Sequence, residues 1–285
     1  MAKEKVKVIG EPFNFEWSSC SNQKPKSFEW TKDDSDLCVY IDYSIIDQNI
    51  KFKKNLKSLN VGWLCESLTI NYDLYNIIKN NYLQIFQQFD FIFTCDKYLL
   101  SLDHRFKFCY SCSNIPWLER EKWSIYKKNK NTSMICSIKK YCPLHLERQK
   151  IADKFLNKID LFGGYLNSPL TGEKYNDFYK KDNALKEYMF SIVVQNNNQP
   201  HFFAELLTDC FAYGTIPVYL GNPEIEEFFN KDGIIVLDDN FNLDILTEDF
   251  YKSKLHAIEE NLNKIQEMPM SDDYLYSQYI SLLEN

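Results

Sequence analysis

Short apolar segments alternate with amphipathic segments along most of this chain. Apolar runs rich in β-branched and aromatic residues predict buried strands at residues 5–9, 37–42, 60–65, 89–95, 106–110, 133–138, 159–162, 190–194, 216–220 and 233–237. Apolar residues at helical spacing predict helices at 73–89, 98–102, 143–157, 224–229, 243–265 and 271–283. Because strands alternate with helices, the pattern indicates mostly parallel sheets covered on both faces.

The clearest unit of the pattern spans residues 189–223, where strand, polar turn, helix, glycine turn and strand follow in order. Pro200 stands where a helix can begin, and Gly214 stands where it ends. The apolar stripe between them is formed by Phe203, Leu206, Leu207, Cys210 and Phe211. Two parallel strands joined by a helix form a right-handed crossover. Its first strand end and its helix amino end together suit a phosphate or diphosphate.

Length and pattern indicate two domains. A chain of 285 residues suits two domains of ordinary size, and the strand–helix alternation restarts at residue 133. The segment 119–132 is charged and has little apolar periodicity, which predicts a linker. We therefore predict domains at residues 1–128 and 129–285, the second carrying the terminal helices.

Composition narrows the class of protein. A hydrophobic content of 45%, with 16% aromatic residues, is ample for a core and argues against disorder. The net charge of −7 argues against a nucleic-acid partner. No apolar run approaches the roughly 20 residues that span a bilayer, and the first ten residues lack the apolar region of a signal peptide. We expect a cytoplasmic protein without a transmembrane segment, whose nine scattered cysteines are reduced thiols.

The unit at residues 189–223 resembles the donor-binding signature of the α-1,3-fucosyltransferases, glycosyltransferase family 10. The matching residues keep the spacing of that signature without a gap: Phe190, Val194-Gln195-Asn196, Ala204-Glu205-Leu206 and Ile216-Pro217-Val218-Tyr219-Leu220-Gly221. Three positions depart from it, because Gln195 replaces a Glu, Ala204 a Thr and Leu206 a Lys that is expected to meet the donor diphosphate. The resemblance is closest over residues 133–237 and looser over 60–110.

This resemblance implies an α/β fold of the GT-B type, with two Rossmann-like β/α domains that face a central cleft. Residues 1–128 would form the acceptor side, and residues 129–285 would bind the nucleotide-sugar donor. The implied reaction is an inverting transfer of fucose from GDP-fucose to a hydroxyl of a glycan acceptor. It implies no tightly bound cofactor and no required divalent metal. Animal members of the family carry a membrane anchor, so this chain resembles a divergent microbial or viral member.

An inverting transfer needs a base that accepts the proton of the acceptor hydroxyl. Glu66 follows the predicted strand 60–65, at the edge where open α/β sheets bind ligands. Its Glu66-Ser67-Leu68 segment partly matches the E-S-P segment that contains the proposed catalytic Glu of the family. We predict that Glu66 is the general base; a solvated loop carboxylate is the alternative. Asp73 and Asp96 are weaker candidates, since each suits a helix cap or a turn.

The leaving diphosphate needs cations or N–H donors. Residues 137–148 resemble the family's S-N-x(n)-R segment, which implies that Arg148 contacts the diphosphate through its forked guanidinium. The alternative is an exposed helix arginine that pairs with Glu147 or a neighbour. Lys139 or Lys140 is a candidate to replace the cation missing at Leu206. The amide groups at the amino end of the predicted 200–213 helix would then carry a larger share.

The remaining donor contacts follow from the resemblance. Glu205 is expected to accept the ribose hydroxyls, or else to complement the helix dipole. Gln195 and Asn196 lie at the strand end and could contact the sugar or phosphate, with a structural turn as the alternative for Asn196. Tyr165 follows Gly163-Gly164, where the family recognises the purine, and could stack on the base or belong to the core. No ligand-spaced partner supports a metal site at the neighbouring histidines.

Two other functions remain open at this point. Gln195 and Leu206 depart from the signature where donor contacts are expected, so a related transferase could use a different nucleotide sugar. The missing Lys also fits a catalytically silent protein that binds a sugar or nucleotide.

Overall fold

The computed structural model describes residues 3–10, 18–19, 23–48, 59–165 and 181–283. The chain divides into two compact units. The first comprises Met1–Asn114, Pro200–Phe202 and Pro269–Asn285, and the second comprises Ile115–Gln199 and Phe203–Met268. Each unit is built on one parallel sheet, which confirms the predicted α/β class with two Rossmann-like domains.

The described strands and helices follow the predicted alternation. The strands are β1 (Glu4–Ile9), β2 (Phe28–Thr31), β3 (Leu37–Ile41), β4 (Leu59–Trp63), β5 (Phe91–Thr94), β6 (Phe106–Phe108), β7 (Lys130–Ile135), β8 (Asp160–Phe162), β9 (Tyr188–Val194), β10 (Ile216–Leu220) and β11 (Ile235–Val236). The α-helices are α1 (Tyr72–Ile85), α2 (Lys97–Leu102), α3 (Pro143–Lys154), α4 (Lys181–Leu185), α5 (Glu205–Ala212), α6 (Glu248–Ser253), α7 (Leu255–Glu267) and α8 (Ser271–Leu283).

The first unit contains a six-stranded sheet in the order β2-β1-β3-β4-β5-β6, and all of its paired strands are parallel. Successive side chains of a strand point to opposite faces, so Val39 and Ile41 join one apolar cluster whereas Tyr40 joins another. The second of these clusters includes Leu74 and Ile78 of α1. The sheet is therefore buried on both faces, as a parallel sheet requires.

Helix α8 belongs to the first unit, not to the second as predicted. Leu275 and Tyr279 pack into the core of the first sheet. The fully buried Asp272 carboxylate accepts the indole N–H of Trp30 at 2.7 Å and the backbone N–H of Ser19 at 3.0 Å. These long-range contacts cannot be predicted from the periodicity of the helix alone.

The second unit contains a five-stranded parallel sheet in the order β11-β10-β9-β7-β8. The chain moves outward from β7 to β8 in one direction, and from β9 through β10 to β11 in the other. The strand order therefore reverses between β7 and β9. In open α/β sheets, ligands bind outside the carboxyl ends of the strands at such a switch point.

The predicted linker is part of the second unit, and the boundary lies at Asn114 and Ile115 instead of after residue 128. The Lys128 ammonium donates to the carbonyls of Tyr213 at 2.7 Å and Lys186 at 3.1 Å. It also donates to the Thr215 hydroxyl at 3.0 Å. Burial lowers the pKa of Lys128 to about 7. The charge of this segment therefore does not mark a linker, because Lys128 is hydrogen-bonded within the second unit.

Other differences have local causes. The sequence pattern missed β2, which has only four residues. Helix α5 begins at Glu205 and not near residue 200, because His201 has a φ of 66° and Ala204 is extended. The predicted helix 243–265 is interrupted, since the Thr247 hydroxyl accepts the N–H of Phe250 at 3.1 Å and starts α6 anew. Among the described residues, no helix is both long and apolar enough to cross a bilayer.

The turn after β8 provides a test of the fold. Gly163 has a φ of +94°, and a Cβ there would lie 2.3 Å from the carbonyl oxygen of Cys136. We expect Gly163→Ala to destabilise the second unit by about 1–3 kcal/mol, measured as a lower urea midpoint by circular dichroism. Gly164→Ala is the matched control, because its Cβ would meet only a side-chain methyl of Ile138 at 3.8 Å. Equal midpoints for the two variants would contradict the expectation.

Candidate functional site

In the first unit, two carboxylates follow neighbouring parallel strands. Asp42 comes directly after β3, and Glu66 follows β4. Asp42 is 1% exposed, and its Oδ1 accepts the N–H of Cys65 at 2.9 Å. The N–H of Glu66 lies 3.4 and 3.3 Å from the two carboxylate oxygens of Asp42. On its other side, the Glu66 carbonyl accepts the hydroxyl of Tyr75 at 2.9 Å. The backbone of Glu66 is therefore fixed on both sides, while its side chain is half-buried.

The environment of Asp42 shifts its proton affinity. Burial, followed by the nearby charge of Glu66, raises the pKa of Asp42 to about 7, and the N–H groups of Cys65 and Glu66 limit the rise. A carboxyl group with this pKa changes its charge near neutral pH. Such shifted groups at the ligand-binding edge of a sheet are typical of functional sites.

In the second unit, Arg148 lies at the carboxyl end of β9. Its Nε donates to the carbonyl of Val194 at 3.0 Å, and its Nη2 donates to the same oxygen. The side chain is 7% exposed, so the alternative of an exposed arginine paired with Glu147 is wrong. Glu147 instead pairs with Lys150 at 3.1 Å. The contact of Arg148 with a diphosphate stays a prediction. Its guanidinium is buried at the switch point between β7 and β9.

Gln195 and Asn196 follow β9 directly. Gln195 is 2% exposed; its N–H donates to the carbonyl of Leu220 at 2.9 Å and its Nε2 to the carbonyl of Ala204 at 3.4 Å. The side chain of Gln195 thus connects the end of β9 to the residue before α5. The Asn196 carbonyl accepts the thiol of Cys142 at 3.3 Å. Both residues therefore have structural contacts at the predicted donor edge.

His145 lies in a positively charged environment at the carboxyl-end edge of the second sheet. Its Nδ1 accepts the N–H of Tyr141 at 3.2 Å, so the proton of the neutral ring is on Nε2. Burial, and then the charges of Arg148 and Lys139, lower the pKa of His145 to about 4. Lys139 itself is exposed. Two cations thus act on one buried imidazole beside the end of β7.

Glu205 is the first residue of α5, and a lysine that the sequence reasoning missed lies beside it. The Lys181 ammonium lies 3.3 Å from Glu205 Oε1 and 2.5 Å from Asp209 Oδ2. Asp209 is fully buried and also accepts the N–H of Trp117 at 2.8 Å. Burial raises the pKa of Asp209 to about 6, although Lys181 opposes this rise. Glu205 therefore belongs to a charge network around the buried Asp209 and does more than complement the helix dipole.

Tyr165 is tied to α3. Its hydroxyl donates to the Asp153 carboxylate at 3.1 Å, and its N–H donates to the carbonyl of Cys136 at 3.2 Å. The ring is half-buried and packs against the core of the second unit. The stacking of Tyr165 on a base stays a prediction.

A cavity of about 860 Å³ lies in the second unit, beside the carboxyl ends of β10 and β11. Asn198, Gly221 and Asn222 line its strand-end side. Lys150, Ile151 and Lys154 of α3 line another side. The lining does not include the predicted donor residues Arg148, Gln195 and Glu205, but Gly221 follows the strand residue that bonds to Gln195.

Three residues of these edges were missed by sequence reasoning. Asp42 could have been found, because it ends an apolar strand as Glu66 does. Lys181 and Asp209 could not, since their pairing joins positions 28 residues apart and neither position shows a motif. Lys139 and Lys140 were proposed instead to replace the missing cation, and both are exposed.

No family model matches the chain. Its structural neighbours are α1,3-fucosyltransferases and other glycosyltransferases. An α1,3-fucosyltransferase with GDP is 18% identical, with a TM-score of 0.49 over 94% of this chain and 83% of that chain. The same type of enzyme with GDP-fucose is 16% identical, with a TM-score of 0.49 over 94% and 82%. The glycosyltransferase SnogD from Streptomyces nogalater is 11% identical, with a TM-score of 0.40 over 87% and 73%.

The positive environment of His145 can be measured directly. Removing the charge of Arg148 by Arg148→Met should raise the pKa of His145 by roughly 0.5–1 pH unit, because a neighbouring cation disfavours the protonated ring. Nuclear magnetic resonance titration of the imidazole gives the value. Lys150→Met is the control, since Lys150 is exposed and pairs with Glu147. An unchanged pKa of His145 in Arg148→Met would show that the two side chains are not coupled.

Proposed function

We propose that this chain is an inverting glycosyltransferase of the α-1,3-fucosyltransferase type, which transfers fucose from GDP-fucose to a hydroxyl of a glycan. The observation that carries this proposal is the cationic edge of the second sheet. There the buried Arg148 guanidinium contacts the carbonyl of Val194 at the end of β9. Val194 belongs to the segment 189–223, whose spacing resembles the family's donor signature. This edge coincides with the switch point where open α/β sheets bind ligands.

The diphosphate of the donor would be held by Arg148, Lys139 and the amide groups at the start of α5. A guanidinium offers five N–H donors, and the carbonyl of Val194 engages only its Nε and Nη2 sides. The effect of Arg148 and Lys139 on His145 supports a net positive potential at this edge. Such fixed charge stabilises the negative charge that develops on a leaving diphosphate.

Lys181 does not replace the cation that is missing at Leu206. It lies between the carboxylates of Asp209 and Glu205, so one positive charge meets two negative ones. Its ammonium therefore neutralises protein carboxylates and adds no positive charge for a diphosphate. We propose that it orients Glu205, whose second carboxylate oxygen would accept the ribose hydroxyls.

Glu66 is proposed as the general base. The acceptor oxygen attacks the anomeric carbon of the donor, and the bond from that carbon to the diphosphate oxygen breaks with its electron pair leaving on the diphosphate. The proton of the acceptor hydroxyl passes to the Glu66 carboxylate. A backbone fixed by Asp42 and Tyr75 supports a defined position for this carboxylate.

The cavity beside β10 and β11 adds support for a nucleotide ligand. Its volume of about 860 Å³ falls in the range of sites that take drug-sized ligands. Its apolar lining, such as Ile151 and Leu237, and the amides of Asn198 and Asn222 suit a planar base with polar substituents. Because Glu147, Glu226, Asp238 and Asp239 also line it, the cavity suits the base and not the diphosphate.

Nucleotide selectivity tests the donor. We expect GDP to raise the melting temperature, and UDP, CMP and dTDP to raise it less, since the signature resembles that of a GDP-fucose family. Isothermal calorimetry would give the affinities. A larger shift with another nucleotide would favour a transferase that uses a different sugar donor. No shift with any of the four would favour a catalytically silent protein and contradict the proposal.

Glu66→Gln tests the base. The amide keeps the shape of the side chain but cannot accept the proton, so kcat for transfer from GDP-fucose should fall by about 10²–10⁴-fold. Nucleotide affinity should not change. Asp73→Asn is the control, because Asp73 is an exposed residue in the first turn of α1 and its variant should keep normal turnover. Normal turnover in Glu66→Gln would remove Glu66 from the mechanism.

A further inference from the structure

In the mechanism above, the Asp42 carboxylate only helps to fix the Glu66 backbone, yet its position also gives its charge a role. We propose that Asp42 is a positioning residue for Glu66, which fixes the Glu66 backbone and whose negative charge makes Glu66 a stronger base. This inference rests on the proposed function, because it assumes that Glu66 accepts the proton.

The Asp42 carboxylate contacts the backbone of Glu66 directly. Asp42 and Glu66 follow β3 and β4, which are adjacent and paired in register from Leu37 and Leu59 to Ile41 and Trp63. Their backbone ends therefore lie side by side. The Asp42 carboxylate crosses this gap to the N–H groups of Cys65 and Glu66. Asp42 is therefore hydrogen-bonded to Glu66 itself, the residue that it positions.

The backbone of Asp42 adopts an unusual conformation. Its φ is 46°, in the left-handed region that non-glycine residues seldom adopt. Gly10 at the end of β1 packs against this turn, since a Cβ there would lie 2.8 Å from the carbonyl of Ile41 and from the Ser44 side chain. A strained residue that its surroundings hold in place is typical of functional sites.

The charges of Asp42 and Glu66 act on each other. The ionisable groups that act on or beside Asp42 are Glu66, the Cys65 thiol and the Tyr75 hydroxyl of α1, and Asn71 donates to it without a charge. Burial first, and then Glu66, raise the pKa of Asp42 to about 7. Because Coulomb coupling is reciprocal, ionisation of Asp42 makes the neighbouring Glu66 carboxylate a stronger base. The two carboxyl groups should titrate as a coupled pair.

Asp42→Asn tests this role. Its amide oxygen can still accept the N–H groups of Cys65 and Glu66, whereas the charge is lost. We expect kcat/KM of the wild type to rise in two steps with pH, the second at the midpoint of Asp42 near 7, because only the ionised Asp42 strengthens the base. Asp42→Asn should keep only the first step, so that its kcat at the upper plateau falls about tenfold. KM for GDP-fucose should not change. Asp90→Asn is the matched control, because Asp90 is exposed and also accepts a backbone N–H, from Asn60 at 2.8 Å.

A second measurement does not depend on activity, and its decisive part uses only the wild-type protein. In the wild-type protein, the carboxyl carbon resonance of Glu66 should show two inflections with pH, one of them at the midpoint of Asp42. The Asp42→Asn protein should lose the inflection at the Asp42 midpoint and keep the other. A single Glu66 inflection in the wild type, independent of Asp42, would overturn the inference even if the variant failed to fold.

These measurements separate two failures. If the wild type transfers no sugar from any donor but the two carboxyl groups titrate together, the proposed function fails and the coupling stands. If transfer occurs and the pH profile of Asp42→Asn matches those of the wild type and Asp90→Asn, the inference fails and the proposed function stands.

Discussion

A buried charged side chain bonded to the backbone where a parallel strand ends organises the edge of each sheet. In the first unit, the Asp42 carboxylate accepts N–H groups beyond β4. In the second, the Arg148 guanidinium donates to the last carbonyl of β9. Parallel strands leave such groups unpaired at a common edge, and burying them without partners is costly. The two charges that satisfy these backbone groups have opposite signs, as a base-bearing edge and a phosphate-binding edge would need.

These contacts also have an energetic cost, which separates them from ordinary core packing. Asp42 is 1% exposed and Arg148 7%, and a buried charge is stabilised only when hydrogen bonds replace its lost hydration. For Asp42 the hydrogen bonds replace only part of the lost hydration, since its pKa rises to about 7. A carboxyl group whose pKa is raised in the folded state favours folding most below its ordinary pKa. This contribution to the free energy of unfolding is lost as the pH rises towards about 7. An apolar residue at this position would avoid that loss, but it could not fix the Glu66 amide.

Much of the fold could be predicted from the sequence because strand patterns are local. The strand at 216–220 was predicted to the residue, and β9 extends the predicted strand 190–194 by two residues at its start. Features that depend on distant partners could not be predicted, such as the docking of α8 through Asp272 and the pairing of Lys181 with Asp209. The candidate site divides in the same way. The rule that selected Glu66 from its strand end applies equally to Asp42, whereas nothing in the helical pattern indicates that Arg148 turns inward to Val194.

The two charged departures from the donor signature are related physically. Gln195 replaces an acid and Leu206 replaces a base, so the edge loses one negative and one positive charge and its net charge is unchanged. Gln195 is 2% exposed and bonds to the carbonyl of Ala204, two residues before Leu206. A glutamate there would repel that carbonyl oxygen, and its burial would carry the desolvation cost of a charge. The amide instead donates to the carbonyl and joins β9 to α5. The side chain of Gln195 is therefore bonded at this edge, although Leu206 stands where the signature has a lysine.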